Sequence, residues 1–199
     1  SERNNEVAEI IIELMENQRK SLLRWLGWFG LINGFIAALI GLRYLFFYSF
    51  PDDTWVLSYV PLATITHFII LINLPIALLL IPLTLIVPSK RLIFSLAILF
   101  ATLIITLLIV DANFFAENRY HLSFLTSVLF DSTTYVLIAL QFLIVLAFEY
   151  MLANQLFRLL NRTGRKSMYG KHIACLIIMC WGYVQGLHIW ADATYYNVI

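Results

Sequence analysis

The sequence has few charged residues for its length. Only 13% of its 199 residues are charged, whereas 61% are hydrophobic, and the mean hydropathy is +0.85. An average soluble domain has about 25% charged residues, and a domain of this size leaves much of its surface in water. The composition therefore excludes an ordinary soluble domain and indicates a chain whose surface faces lipid.

Cysteines are equally sparse, and no cleavable signal peptide is visible. Cys175 and Cys180 lie five residues apart in an apolar segment, so they point to different faces of a helix and predict neither a disulfide framework nor a metal site. The first twenty residues are polar and acidic, the reverse of a basic region followed by an apolar core. We therefore expect the first spanning helix to act as its own insertion signal.

Catalytic and nucleic-acid-binding motifs are also missing. The sequence has no glycine-rich phosphate loop, no exposed nucleophile beside a Ser/His/Asp set and no metal-ligand spacing. The net charge is +1, with basic residues at segment ends rather than in one groove. We expect no enzyme active site, no cofactor and no nucleic-acid partner.

The sequence does contain five long apolar runs. Each is long enough to cross a bilayer, which takes roughly 20 residues of helix. The predicted spans are Trp25–Phe47, Val56–Val87, Leu92–Val110, Tyr135–Leu156 and Ile173–Trp190. The second is long and contains Pro75 and Pro82, so it must tilt, kink or extend beyond the hydrocarbon. We predict an all-α, polytopic membrane protein with five transmembrane helices.

The basic residues predict the orientation of these helices. Eleven of the 13 Lys and Arg residues fall before span one, between spans two and three, or between spans four and five. The opposite ends carry only Arg43 and Arg119. Because cytoplasmic loops are enriched in Lys and Arg, we place the N-terminus in the cytoplasm and the C-terminus in the periplasm.

Two segments outside the spans have helical patterns of their own. In residues 1–20, Val7–Lys20 has an apolar face and an acidic face, which predicts either an extension of the first spanning helix or a docking helix for a cytoplasmic partner. Residues 112–134 are aromatic-rich. They predict either a short interfacial helix or a hydrophobic loop on the helix tops.

Small and polar residues within the spans suggest where helices meet. Gly30 and Gly34 in span one, and Gly182 and Gly186 in span five, have the four-residue spacing of closely packed membrane helices. They predict contacts within the chain or with a partner's helix. The intramembrane polar residues are Asn33, His67, Asn73, Glu149 and Gln185. We expect an interhelical hydrogen-bond cluster of Asn33, Asn73, Gln185 and Glu149, because polar groups at this depth are costly.

Charged residues at the two ends suggest further contacts. On the outer side, Arg43, Asp111, His188 and Asp192, with Arg119, predict a salt-bridged lid or a lipid-headgroup or domain-docking site. On the cytoplasmic side, the cluster of Arg162, Arg165 and Lys166 is a candidate contact for an anionic lipid such as cardiolipin. The alternative is that this cluster serves topology alone.

Several strings of the sequence resemble one known family. They are Ile40–Phe46, Ser58–Val60, Ile81–Val87, Thr106–Asp111 and His188–Ala193. In order and spacing they resemble the membrane domain of the PbgA/YejM (LapC) inner-membrane proteins of Gram-negative bacteria. The resemblance assigns residues 21–193 to a five-helix membrane domain. It assigns residues 194–199 to the start of a linker to a periplasmic sulfatase-like domain outside this chain.

That resemblance implies a regulatory, non-enzymatic function. Such proteins sense lipopolysaccharide and act through the membrane adaptor LapB to restrain FtsH-dependent proteolysis of LpxC, the committed enzyme of lipid A synthesis. Cardiolipin binding is also attributed to them. Two alternatives remain at this point: the membrane anchor of a periplasmic phosphoethanolamine- or lipoteichoic-acid-type transferase, and a small transporter that depends on Glu149.

Overall fold

The computed structural model describes residues 2–47, 54–123, 130–162 and 169–195, and it places side chains for 5–47, 59–123, 130–162 and 173–189. These ranges fold into helices, with no strand among them. The elements are α1 (Glu2–Leu45), α2 (Thr54–Pro75), a π-helical turn (Ile76–Leu80), α3 (Ile81–Ile86), α4 (Lys90–Asn118), α5 (Ser132–Arg162) and α6 (Tyr169–Tyr195). The all-α prediction is confirmed.

The apolar helices follow the order that the sequence predicts. Within the described ranges, four stretches are long and apolar enough to cross a membrane: Asn5–Leu45, Tyr59–Ile86, Lys90–Asn118 and Ser132–Arg162. Helix α6 carries a shorter apolar stretch, Ile173–Ile189. We call the end of the bundle that holds Arg24, Lys90 and Arg158 the basic end, and the end that holds Asp111 and Asp131 the acidic end. Which end faces the cytoplasm stays a prediction from the sequence.

Helix α1 extends well beyond the part that crosses. Its 44 residues are continuous and about 66 Å long, whereas a bilayer with its headgroups is about 40–45 Å thick. Residues 5–18 are exposed, and Ile10 and Leu14 keep 57% and 63% of their surface open. The predicted amphipathic segment is therefore an extension of the first spanning helix.

The prolines of the second span determine its internal geometry. Pro75 ends α2, and the five residues that follow form a π-helical turn. The N–H of Ile81 donates to the carbonyl of Ile76, one residue further back than in an α-helix. A proline lacks the N–H that an α-helix needs. The π-helical turn lies between Pro75 and Pro82, and α3 continues the span beyond it.

The boundaries of α4 differ from the prediction. Val87 is extended, as expected for a residue before proline, and α4 begins two residues after Pro88. At its other end α4 continues through Asn118 rather than stopping at Val110, so residues 112–118 do not belong to an outer loop. Arg119 ends the helix in the left-handed region, with φ 65°. Residues 124–129, part of the expected interfacial helix, lie outside the described residues.

Helix α1 is the centre of the bundle. Near the basic end, Trp25 is fully buried and stacks on Phe94 of α4, with ring centroids 3.9 Å apart. Ala153 of α5 is also fully buried in this cluster. Nearer the acidic end, Ala37 packs with Ile72 and Ile105. Helix α6 is peripheral, because Val184 is its one buried residue among those described.

Candidate functional site

Three layers of polar contacts connect the helices, and the first lies at the basic end. Arg24 Nη2 on α1 donates to the carbonyl of Leu160 on α5, at 2.9 Å. About two turns further into the bundle along α5, the Ala153 carbonyl accepts a hydrogen bond from Trp25 Nε1 at 3.0 Å. Lys90 Nζ lies 3.9 Å from the ring centroid of Phe157, a cation–π geometry. The last turns of α5 are thus attached to both α1 and α4.

The second layer lies at membrane depth. Asn33 Nδ2 donates to Glu149 Oε2 at 3.1 Å, and both residues are fully buried. Asn73 Nδ2 donates to the carbonyl of Gly30 on α1 at 3.1 Å and to that of Ile69 at 2.7 Å. Both amide side chains therefore join α1 to another helix, as expected for polar groups that have no water to bind.

The predicted intramembrane cluster forms only in part. Asn33 and Glu149 pair directly, while Asn73 bonds backbone carbonyls one turn away on α1. Gln185 is half-buried on the peripheral helix α6, and no contact joins it to the other three among the described residues. His67 is exposed and lies edge-on to its neighbour Phe68. Polar residues at the same depth in the membrane do not necessarily bond, because their side chains must also point toward one another.

The third layer is centred on Asp111 at the acidic end. Its Oδ2 accepts the Tyr44 hydroxyl at 2.6 Å and lies 2.7 Å from His121 Nδ1. Its Oδ1 accepts the N–H of Leu122 at 2.6 Å. The rings of Tyr44 and His121 both pack against Phe115. One carboxylate therefore binds the end of α1 and the segment that follows α4.

This layer corrects the predicted lid. Arg43 is exposed rather than buried, and its Nη1 donates to Asn113 Oδ1 at 3.0 Å instead of pairing with Asp111. Arg119 lies over the ring of Phe47, 4.5 Å from the centroid. His188 is exposed on α6, and the side chain of Asp192 lies outside the described residues. Arg43 thus bonds Asn113 where a pair with Asp111 was predicted, while Asp111 does fix the helix ends; a lid that includes Asp192 stays a prediction.

The glycines of α1 pack as predicted, and those of α6 do not. A Cβ on Gly30 would overlap Asn73 Oδ1, and one on Gly34 would come within 3.1 Å of Ile69 Cγ2. By contrast, a Cβ on Gly182 or Gly186 would meet nothing within 4 Å in the described part of the chain. Close packing of α6 at these glycines inside the chain is therefore wrong. The other alternative, a partner's helix, stays a prediction.

The predicted cytoplasmic cluster is mostly outside the described residues. Arg162 is exposed at the end of α5, while Arg165 and Lys166 are not among the residues described. The structure therefore leaves their anionic-lipid contact as a prediction.

The chemistry of the three layers is structural. In the described ranges no three His, Cys, Asp or Glu side chains come close enough to hold a metal ion. In each layer, polar side chains bond to one another or to backbone carbonyls of a second helix, which holds the helices together. The sequence prediction missed Tyr44, Asn113 and His121. The signal in the sequence was their position within two residues of Arg43, Asp111 and Arg119. The unpaired backbone groups at helix ends need polar partners.

Comparison with known proteins agrees with this architecture. The model of DUF3413, described as a domain of unknown function, matches residues 13–199. The chain is 29% identical over 185 residues to the inner membrane protein YejM of Salmonella typhimurium and of Salmonella typhi, an alignment that covers 89% of this chain and 32% of theirs. It is 32% identical over 101 residues to an uncharacterized protein of Haemophilus influenzae, covering 51% of this chain and 17% of that one. The chain thus spans about a third of the length of its YejM relatives.

The fold and the comparisons together define the class of protein. A bundle of apolar, membrane-length helices connected by polar side chains that bond between helices is the membrane domain of a multi-pass inner-membrane protein. The chain belongs to the DUF3413 family, the N-terminal membrane domain of YejM/PbgA proteins.

Proposed function

We propose that this chain is the membrane domain of a non-enzymatic regulator of lipopolysaccharide homeostasis. In this role it takes part in sensing lipopolysaccharide and limits lipid A synthesis by binding a LapB-like adaptor, which controls FtsH-dependent turnover of LpxC. The observation that carries the proposal is the similarity to YejM along 89% of the chain. Contacts with lipopolysaccharide and cardiolipin accompany this role.

The exposed face of α6 supports a helix partner. Gly182 and Gly186 are four residues apart on it, and both are open. Their neighbours Met179 and Tyr183 are 64% and 55% exposed. Lipid does not favour helix association by itself, so small residues that let backbones approach closely are the usual basis of such contacts. We place the membrane helix of the adaptor on this face.

Co-purification of the membrane-embedded chain with a full-length LapB-like adaptor tests the proposal. Gly182→Leu and Gly186→Leu are expected to reduce adaptor recovery at least fivefold, because a leucine side chain separates the two backbones. Ala139→Leu is the matched control. Ala139 is exposed on α5, so this substitution adds comparable bulk to a different lipid-facing helix.

Each outcome of this test is informative. If the adaptor is not recovered with the unmodified chain, the regulatory assignment is wrong. If it is recovered equally with all four proteins, the regulatory assignment stands and the α6 face is wrong.

A further inference from the structure

A cavity opens beside the basic-end junction, between α1, α2 and α6. Its volume is about 1120 Å³, slightly above the usual range of about 300–1,000 Å³ for small-molecule sites. Five polar residues line its mouth at the end of the bundle: Asn17, Lys20, Ser21, Arg24 and Asn161. Its depth is lined mainly by aliphatic side chains, among them Leu31, Ile69 and Ile177. The cavity thus has a polar, cationic mouth and an apolar interior.

The length of the cavity matches one leaflet. Along α1 its wall runs from Asn17 to Leu31, a rise of about 21 Å for 14 residues. Half of a bilayer with its headgroups is about 20–22 Å thick. A ligand that fills the cavity from mouth to base therefore has the length of a lipid in a single leaflet.

The charges at the mouth favour an anion. Among the described residues, no Asp or Glu lines the cavity. Arg24 is half-buried, and its bond to the Leu160 carbonyl holds the guanidinium at the mouth. Arg24 Nε is buried with no hydrogen-bond partner in the described part of the chain. Lys20 adds a second positive charge, which an exposed ion pair with Glu16 at 2.6 Å offsets in part.

Gly27 leaves room for the apolar part of a ligand. It lines the cavity between the mouth and the base, it is exposed, and a Cβ built on it would meet nothing within 4 Å in the described ranges. In this respect it differs from Gly30, one turn away, which packs against Asn73. Gly27 thus contributes open space rather than helix packing.

We propose that this cavity binds one anionic glycerophospholipid of the leaflet at the basic end, with its phosphate at Arg24 and Lys20 and an acyl chain along Gly27 toward Leu31. The predicted orientation makes this the cytoplasmic leaflet. The described lining does not include Arg162, and the proposal does not depend on the regulatory role proposed above.

Native mass spectrometry of the membrane-embedded chain released from nanodiscs tests this proposal. The probes are phosphatidylglycerol and phosphatidylcholine with identical acyl chains. We expect one retained phosphatidylglycerol and little phosphatidylcholine. Arg24→Gln should reduce phosphatidylglycerol retention about fivefold, the contribution of one basic residue near a membrane surface. Gly27→Leu should reduce retention of either lipid by filling the path of the acyl chain.

Two controls separate this site from general effects. Arg91→Gln removes an exposed charge from the same end, and Ala139→Leu adds bulk to a lipid-facing helix elsewhere; both should retain phosphatidylglycerol. Equal loss with Arg24→Gln and Arg91→Gln would mean surface electrostatics only and would overturn the proposal. Unchanged lipid retention with Gly27→Leu would overturn the proposal as well. So would a dimer of the chain that Gly27→Leu dissociates, because a second copy would then occupy the cavity. If Arg24→Gln fails to fold, Gly27→Leu decides alone.

Discussion

Asn33 and Glu149, 116 positions apart in the sequence, meet in the interior of the bundle, where the asparagine amide donates to the carboxylate at 3.1 Å. This bond joins the central helix α1 to α5, which otherwise buries a narrow stripe of residues. We expect Asn33→Leu to destabilise the domain by about 1 kcal/mol, within the range for interhelical hydrogen bonds in membranes. Glu149→Gln keeps an acceptor oxygen and should unfold close to the unmodified temperature.

The measurement is thermal unfolding in detergent, followed by light scattering or fluorescence. A loss for Glu149→Gln equal to that for Asn33→Leu would show that the amide–carboxylate bond is not what Asn33 contributes. The same variants test the transporter alternative. Proton flux in liposomes that disappears with Glu149→Gln would contradict a regulatory domain.

Gly30 and Gly41 of α1 should be intolerant of even a methyl group. A Cβ on Gly41 would overlap the ring of Phe68, and one on Gly30 would displace the Asn73 amide from its carbonyl partner. We expect Gly30→Ala and Gly41→Ala each to lower the free energy of unfolding by about 1–3 kcal/mol, the usual cost of overpacking. Gly182→Ala is the matched control, because its Cβ enters open space. Equal unfolding temperatures for all three variants would contradict the close approach of α1 and α2.

Asp111 should control the order of the segment after α4. Asp111→Ala removes the acceptor of Tyr44, His121 and the Leu122 amide together. Hydrogen bonds to a charged group contribute about 1.5–3 kcal/mol each, so hydrogen exchange at the Leu122 amide should accelerate at least tenfold. Glu117→Ala, an exposed acidic residue of the same helix, should leave that exchange rate unchanged. Protection of Leu122 that survives Asp111→Ala would contradict this account.

Acidification should weaken the first turn of α5. Asp131 accepts hydrogen bonds from the hydroxyl and the N–H of Thr134, and these bonds hold the pKa of Asp131 below its ordinary value. A lowered pKa in the folded state means that the stabilisation is present near neutral pH and is lost as the pH falls through the folded pKa. Exchange at the Thr134 amide, corrected for intrinsic rates, should rise below about pH 4. Asp131→Asn, which retains a capping oxygen, should remove the pH dependence; if the dependence persists, another group causes it.

The sequence was sufficient to predict the helices and their order. It was insufficient to predict which neighbouring residue each side chain contacts. Apolar runs predict the order of the helices, and Pro75 marks where α2 gives way to the π-helical turn. Arg43 illustrates the limit. It lies at the same depth as Asp111, but the next residue, Tyr44, is the one that reaches the carboxylate. Consecutive residues point about 100° apart on a helix, so depth predicts the layer and not the partner.

The two glycine pairs show the same limit. Gly30 and Gly182 have equivalent spacing in the sequence, yet the first contacts α2 and the second faces open space. Spacing indicates that a helix can be approached closely and does not indicate by what. The cavity at the basic end was likewise not predictable, because its wall combines residues of α1, α2 and α6 with the end of α5.

The predicted orientation of the bundle assigns the phospholipid site to the cytoplasmic leaflet, and thiol labelling tests this orientation directly. In a background with Cys175→Ser and Cys180→Ser, single cysteines replace the exposed residues Glu117 at the acidic end and Arg91 at the basic end. An impermeant maleimide added to intact spheroplasts should label the Glu117→Cys chain at once and the Arg91→Cys chain only after lysis. Labelling of Arg91→Cys in intact spheroplasts, with Glu117→Cys protected until lysis, would contradict the account.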